Sequence, residues 1–170
     1  MTEIRVRPLT EADWGQFRSI RLAALEESPE AFVAKLADEQ EYDEDFWRAR
    51  MRRAQRMVAD VDGSDVGVLS VGVLDDAENT AEIFGLWVRP DWRGRSVAAT
   101  LVRSASQQAA EDGYDRIAYW VGTDNGRAVA FASSFGFRPT GRRRPMRVTN
   151  GADGEEEIAM VLALAEDRAG

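Results

Sequence analysis

The segment Val88-Arg89-Pro90-Asp91-Trp92-Arg93-Gly94-Arg95-Ser96-Val97-Ala98 has the residue types and spacing for anion chemistry. An apolar, strand-like run from Ile83 to Val88 enters it, and an amphipathic helical pattern leaves it. A loop that opens straight into a helix leaves several backbone N–H groups unpaired and pointing one way. Those donors, with the positive end of the helix dipole, make a site for phosphate or pyrophosphate. The expected ligand is a phosphorylated cofactor.

Composition narrows what else the chain can do. Its 170 residues suit one domain with a sizeable core, expected over residues 1–165 with a frayed tail at 166–170. There is no cysteine and no histidine. That removes thiol nucleophiles, thiolate metal sites, the commonest metal ligand and the commonest base near neutral pH, so no metal is expected. Acid–base work falls to Asp, Glu, Tyr, Ser, water or Lys35, the sole lysine. The net charge of −8 argues against sequence-independent nucleic-acid binding and is compatible with a cationic amine substrate, though plain solubility is the favoured explanation of it. No run is long and apolar enough for a bilayer, and the N-terminus lacks an apolar signal region, so no membrane role and a cytoplasmic location are expected.

Around the loop, periodicity gives the supporting elements. Ile4 to Pro8 alternates like an edge strand, and Thr10 to Asp13 is an approximate capping box before a helix carrying Trp14, Phe17, Ile20 and Leu25. Pro29 closes that helix, residues 30–42 read as a loop with a helical turn, and Asp43 caps a helix with Phe46, Trp47 and Met51. Strands are expected at Met57 to Val61, Val66 to Val73 and Thr80 to Val88, the first two joined at Asp62-Gly63. A helix follows from Val97 to Glu111, with Gly113 as its C-cap. A strand over Ile117 to Val121, a helix over Arg127 to Phe135 and two strands, roughly 140–149 and 156–164, complete the chain. A turn is expected at Asn150-Gly151, and Ile158 to Leu162 reads as buried on both faces. The order argues for an α+β fold, a mixed sheet covered by helices. A Rossmann turn and a Walker A loop are both missing.

A second block, Asn125-Gly126-Arg127-Ala128 through Phe135-Gly136-Phe137, follows the loop segment. With both blocks in this order, the chain resembles the GNAT superfamily of acyl-CoA N-acyltransferases. The family pattern is a strand ending in Val-x-Pro, then [Arg/Gln]-x-x-Gly-x-[Gly/Ala] opening a helix, then Asn-x-x-Ala, a helix tyrosine and Gly-Phe. Three positions depart from it. Asp91 stands where Arg or Gln is usual, Ser96 where Gly or Ala is, and Ala132 replaces the tyrosine that often protonates the leaving thiolate.

The resemblance implies a GNAT-like fold, a mostly antiparallel sheet flanked by helices, and acetyl-CoA as cofactor. Its transfer to a primary amine would be direct, in a ternary complex. The N–H groups of Arg93, Gly94, Arg95, Ser96, Val97 and Ala98 would hold the pyrophosphate. The strand edge at Leu86, Trp87 and Val88 would bind the pantetheine arm, with an N–H near Trp87 or Val88 polarising the thioester carbonyl. Asn125 would contact the arm, or simply cap its helix. Glu82 corresponds to the basic glutamate of the histone-acetylating members. Burial on a strand would raise its pKa, which suits a base; its alternative is a solvated strand start. Tyr119 and Ser133 are candidates for the acid, Tyr119 equally for the core. Acceptor recognition would involve residues 28–42, with Phe32, Glu39, Glu41 and Tyr42 as candidates and the acidic ones attracting a cationic amine. Arg142 to Arg144 could reach a phosphate or form an exposed basic run. The acceptor, a small-molecule or peptide amine, is not chosen by the sequence, and a homodimer is left open. The rival reading is an acyl-CoA-binding module of the same fold without turnover; a protein for a different phosphate ligand is a more distant one.

Overall fold

A computed structural model describes residues 3–32, 34–75, 77–145 and 156–164. Its strands are β1 (Arg5–Leu9), β2 (Gln55–Val61), β3 (Ser64–Val73), β4 (Thr80–Val88), β5 (Arg116–Gly122), β6 (Arg138–Pro145) and β7 (Glu156–Ala163). Its helices are α1 (Trp14–Glu27), α2 (Leu36–Gln40), α3 (Glu44–Arg53), α4 (Val97–Glu111) and α5 (Gly126–Ser134). Among the described residues the sheet order is β1-β2-β3-β4-β5-β7-β6. β4 and β5 pair in parallel, and β1–β2, β2–β3, β5–β7 and β6–β7 pair antiparallel. The chain divides into two compact units, residues 1–72 with 85–105, and residues 73–84 with 106–170.

In the first unit, the two-residue hairpin at Asp62-Gly63 has both residues left-handed, φ 50° and 85°. That suits the twist of its flanking strands. The hairpin registers Val58 against Val68 and Arg56 against Ser70. Paired residues share a face, and this face meets the helices. Phe17, Ile20 and Ala24 of α1, Trp47 and Met51 of α3, and Val58, Val68 and Trp87 of the strands form one buried cluster. Asp43 caps α3 by accepting from the Phe46 N–H at 3.0 Å. Thr10 and Asp13 form the capping box, with the Thr10 N–H donating to Asp13 at 2.8 Å. The expected loop at 30–42 contains α2 and a 3₁₀ turn at Pro29–Ala31.

In the second unit, β5 is central to its pairing. It runs parallel to β4 from Thr80–Arg116 to Ile83–Tyr119, and antiparallel to β7 from Arg116–Ala163 to Gly122–Glu157. Gly136, left-handed at φ 95°, ends α5 and turns the chain towards β6. β6 begins at Arg138, earlier than expected, because Pro139 is tolerated on a strand at the sheet's edge. The expected burial of Ile158 to Leu162 on both faces is corrected. Within that run only Ala159 and Met160 are fully buried, and Ile158, Val161 and Leu162 are half-buried on the strand next to the edge strand β6. The turn at Asn150-Gly151 and the tail from Glu166 lie outside the described residues.

Candidate active site

The glycine loop belongs to the first unit. Gly85, at φ 64°, interrupts β4 with a left-handed residue, the conformation a bulge uses. The registered β4–β5 pairs end at Ile83–Tyr119, so Leu86, Trp87 and Val88 fall beyond that ladder. Arg89 ties the strand's end to β3: its N–H donates to Val66 O at 2.8 Å and its Nε to Asp65 O at 2.6 Å. A 3₁₀ turn over Pro90–Trp92 then leads to Gly94 and Ser96, both left-handed at φ 77° and 72°. Ser96 O accepts from the Thr100 N–H at 3.0 Å, which starts α4. Among the described residues, no protein acceptor takes the N–H groups of Gly94 through Ala99. That is a row of donors at the positive end of a 15-residue helix.

Ser96 carries the cost of this geometry. A non-glycine residue at φ 72° is strained by roughly 1–2 kcal/mol. Strain of this kind collects where a ligand must be held. Asp91 is exposed in the 3₁₀ turn. Arg95 lies over the Trp92 ring, 5.1 Å from its centroid.

The Arg93 side chain turns back onto the strand and helix α1. Its Nε donates to Val88 O at 3.0 Å, and its Nη2 donates to Glu27 Oε2 at 3.0 Å. The same Glu27 oxygen accepts from Trp87 Nε1 at 3.1 Å and from the Ser28 hydroxyl. Glu27 was not singled out from sequence. It ties the end of α1 to both the last strand residues and the loop. The hydrogen bonds from Ser28 and Trp87, with Arg93 beside them, hold its carboxyl below the ordinary glutamate range. Its signal in the sequence, an acid at a helix C-terminus where the dipole disfavours it, is a weak one.

The expected exposure of Glu39 is corrected. Glu39 was expected at the site's mouth, attracting a cation. It is instead 1% exposed and held by two guanidiniums. Arg50 donates to it at 2.8 and 3.0 Å, and Arg21 at 3.2 and 3.3 Å. Burial pushes its pKa up, but the bonds from Arg50 and Arg21 outweigh that and hold it below the ordinary value. Phe32 and Tyr42 flank this cluster. Arg21 lies 4.9 Å from the Phe32 centroid, and Arg50 lies 5.6 Å from that of Tyr42. Glu41 is exposed.

In the second unit, Glu82 registers with Ala118 and Tyr119 with Ile83. Neighbouring positions on a strand face opposite ways, so the two side chains are on opposite faces of the sheet. Glu82 lies 3.5 Å from Arg144 Nη1, and Arg144 also pairs with Glu157 and sits 3.9 Å from the Trp120 centroid. The strand carboxylate therefore has an ion-pair partner from β6, and Arg144 is not part of an exposed run. Tyr119 packs edge-on against Phe137 at 6.5 Å, and burial raises its phenol. Asn125 caps α5, its Oδ1 accepting from the Ala128 N–H at 3.1 Å. That leaves its Nδ2 hydrogens for another acceptor. Ala132 is buried on α5 and has no proton to give.

A model of the acetyltransferase (GNAT) family matches residues 17–137, and the chain belongs to that family. L-amino acid N-acetyltransferase AaaT of Escherichia coli K12 is 27% identical over 158 residues, 89% of this chain and 93% of that one. A Bacillus subtilis relative, named for alanine N-acetylation of ribosomal protein bS18, is 30% identical over 100 residues, 59% of this chain. The chain spans 64% of that relative's length. Among solved structures, an N-acetyltransferase of Staphylococcus aureus Mu50 superposes with a TM-score of 0.72 at 16% identity, over 95% of this chain and 99% of that one. The yncA protein of Salmonella typhimurium, solved with its cofactor acetyl-CoA, gives 0.70 at 20% identity, over 95% and 94%. These likenesses establish the GNAT fold. No described helix is long and apolar enough to cross a membrane.

Proposed function

We propose that the chain is an N-acetyltransferase that moves the acetyl group of acetyl-CoA to a primary amine by direct transfer. The observation that carries this is the row of N–H groups from Gly94 to Ala99, set by left-handed Gly94 and Ser96. Such a row suits a pyrophosphate, and the Leu86 to Val88 edge suits an extended amide-bearing arm. Acetyl-CoA supplies the activated thioester. When it is bound, the N–H of Trp87 or Val88 would polarise its carbonyl, and Asn125 would offer Nδ2 to the arm.

A protonated amine cannot attack, so Glu82 takes its proton, directly or through water. Burial keeps the Tyr119 phenol protonated, and that phenol or water serves the sulfur. With no cysteine in the chain, a thiol acyl-enzyme is excluded. Residues 1–165 act as one domain, in the cytoplasm. The relatives' names include an L-amino acid and an alanine of ribosomal protein bS18 as acceptors, so both a small-molecule and a peptide amine belong in the assay.

Calorimetry with acetyl-CoA, followed by free-thiol release across an amine panel, tests the reading. Micromolar binding and amine-dependent thiol release are expected. Binding without release would favour the non-catalytic acyl-CoA module, to which Ala132 points. Absence of binding would remove the whole reading.

A further inference from the structure

In the second unit, two carboxylates and an aromatic ring share one guanidinium. Arg144 of β6 donates through Nε to Glu157 of β7, and its Nη1 stands 3.5 Å from Glu82 Oε1 on β4. Its Cζ lies 3.9 Å from the ring centroid of Trp120 on β5. The strand registers bring them together. Glu82 pairs with Ala118, Trp120 with Ala159, and Arg144 with Glu157. Paired positions share a face, and so do positions two apart on one strand. All four side chains therefore project from one side of the sheet. Four neighbouring strands, in the order β4-β5-β7-β6, supply one each.

The Glu82 and Glu157 side chains are 18% and 15% exposed, so solvent screens their charges only in part. The two acids are not held alike. Glu157 accepts a hydrogen bond from Nε, whereas the Glu82 contact is longer than the roughly 2.7–2.9 Å of a charge-assisted hydrogen bond. Trp120 is a platform for the cation. Its buried Nε1 donates to no described residue, so what it offers the guanidinium is its face. Glu157 and Trp120 thus fix Arg144 whichever charge Glu82 carries. A cation at this distance favours the carboxylate over the carboxylic acid, and the carboxylate is the form that can accept a proton.

We propose that Arg144 is a positioning residue for the base: clamped by Glu157 and Trp120, its guanidinium keeps the Glu82 carboxylate charged and oriented for the acceptor's proton. The proposal rests on the acetyl-transfer reading with Glu82 as base, and adds to it one residue from each of three further strands. The proton passes from the acceptor's ammonium to a Glu82 oxygen. That frees the nitrogen lone pair to bond the acetyl carbon, and the C–S electron pair goes to the thiolate. Glu82 is then neutral, but Glu157 still balances Arg144. No uncompensated cation arises during turnover, which would be costly in part-buried surroundings. Glu157 and Trp120 act through Arg144.

Thiol release from acetyl-CoA is measured with L-methionine, tri-alanine and spermidine as acceptors, and acetyl-CoA affinity by calorimetry. Arg144→Ala should lower kcat at least about tenfold, the low end for loss of a charged partner, with acetyl-CoA affinity unchanged. Millimolar guanidinium chloride should restore part of that kcat, against sodium chloride at equal ionic strength, by taking the place on Trp120. In a Glu82→Gln background, Arg144→Ala should cost nothing further, because the two act as one unit. Arg144→Lys keeps the charge but lacks the planar fork. It should retain more kcat than Arg144→Ala, and it carries the same background test if Arg144→Ala does not fold. A folded Arg144→Ala with unaltered kcat overturns the proposal. So does an equal loss with and without Glu82, or a loss that guanidinium leaves untouched. No thiol release from the unaltered protein, or a Glu82→Gln protein as fast as the unaltered one, would instead overturn the reading on which the proposal rests.

Discussion

Gly67→Ala is the substitution whose effect can be worked most directly from the structure. A Cβ on Gly67 would stand 2.8 Å from Val97 Cγ1, 3.1 Å from Leu101 Cδ1 and 3.3 Å from Trp87 O. Val97 and Leu101 are both fully buried, at 1% and 0% exposed. Val97 is β-branched and has one favoured rotamer in a helix, so its methyl cannot swing aside. The first turn of α4 must move off β3 instead. Overpacking of this kind costs about 1–3 kcal/mol, and the lost glycine entropy returns roughly 0.4–1 kcal/mol. The net destabilisation is about 1–2 kcal/mol, or a fall in Tm of roughly 2–8 °C for a chain of this size.

The same movement displaces the N–H groups of Gly94 to Ala99. Misaligning one charge-assisted bond to phosphate forfeits about 1.5–3 kcal/mol, so acetyl-CoA binding should weaken at least tenfold. Differential scanning calorimetry and titration calorimetry read the two effects. Gly15→Ala, whose added Cβ meets nothing within 4 Å, is the control. Val97→Ala removes the clashing methyl, so the Gly67→Ala/Val97→Ala pair should be less destabilised than the sum of its singles. A Gly67→Ala protein with the control's Tm and acetyl-CoA affinity would refute the packing argument and the role given to the first turn of α4.

Other perturbations probe separate parts of the site. Ser96→Gly should raise stability by about 1 kcal/mol, because glycine adopts φ 72° without strain, and should leave acetyl-CoA affinity intact; thermal unfolding and calorimetry check both. Glu82→Gln should lower kcat and flatten the acidic limb of its pH profile while acetyl-CoA still binds, and an unchanged profile removes Glu82 as base. Glu39 is held below its ordinary pKa of 4.5 when folded, so its contribution is present above pH 4.5 and is lost as pH falls through the folded value. Glu39→Gln should therefore be less stable at neutral pH, by about 3–5 kcal/mol for a broken buried pair. Its urea midpoint should also vary less with pH below 4.5 than that of the unaltered protein.

Local patterning made most of the elements legible. The alternation of β1, the 3.6-residue stripe of α1, the Asp43 cap, the Asp62-Gly63 hairpin and the extent of α4 all follow from interactions within a few residues of chain. So did the candidate phosphate loop, since the donors of a strand–loop–helix junction come from backbone geometry. What could not be read were the partners that side chains find across elements. Glu39 looked like a solvated acid on a polar stretch, and Arg21 lies 18 residues before it and Arg50 11 after. Glu82 looked like an isolated strand carboxylate, and Arg144 is 62 residues away. Gly67 read as one more strand residue, although an isolated glycine in a strand can signal close approach of another element.

By itself, the sequence determined the succession of elements, the glycine loop and the absence of cysteine and histidine chemistry, because each is a matter of local conformation or of composition. Only the tertiary structure decided the burial of Glu39 between Arg21 and Arg50, the Glu27 link to Trp87 and Arg93, and the opposite faces of Glu82 and Tyr119. Those depend on strand register and helix packing, which bring together charges that lie far apart along the chain and set their energies by burial.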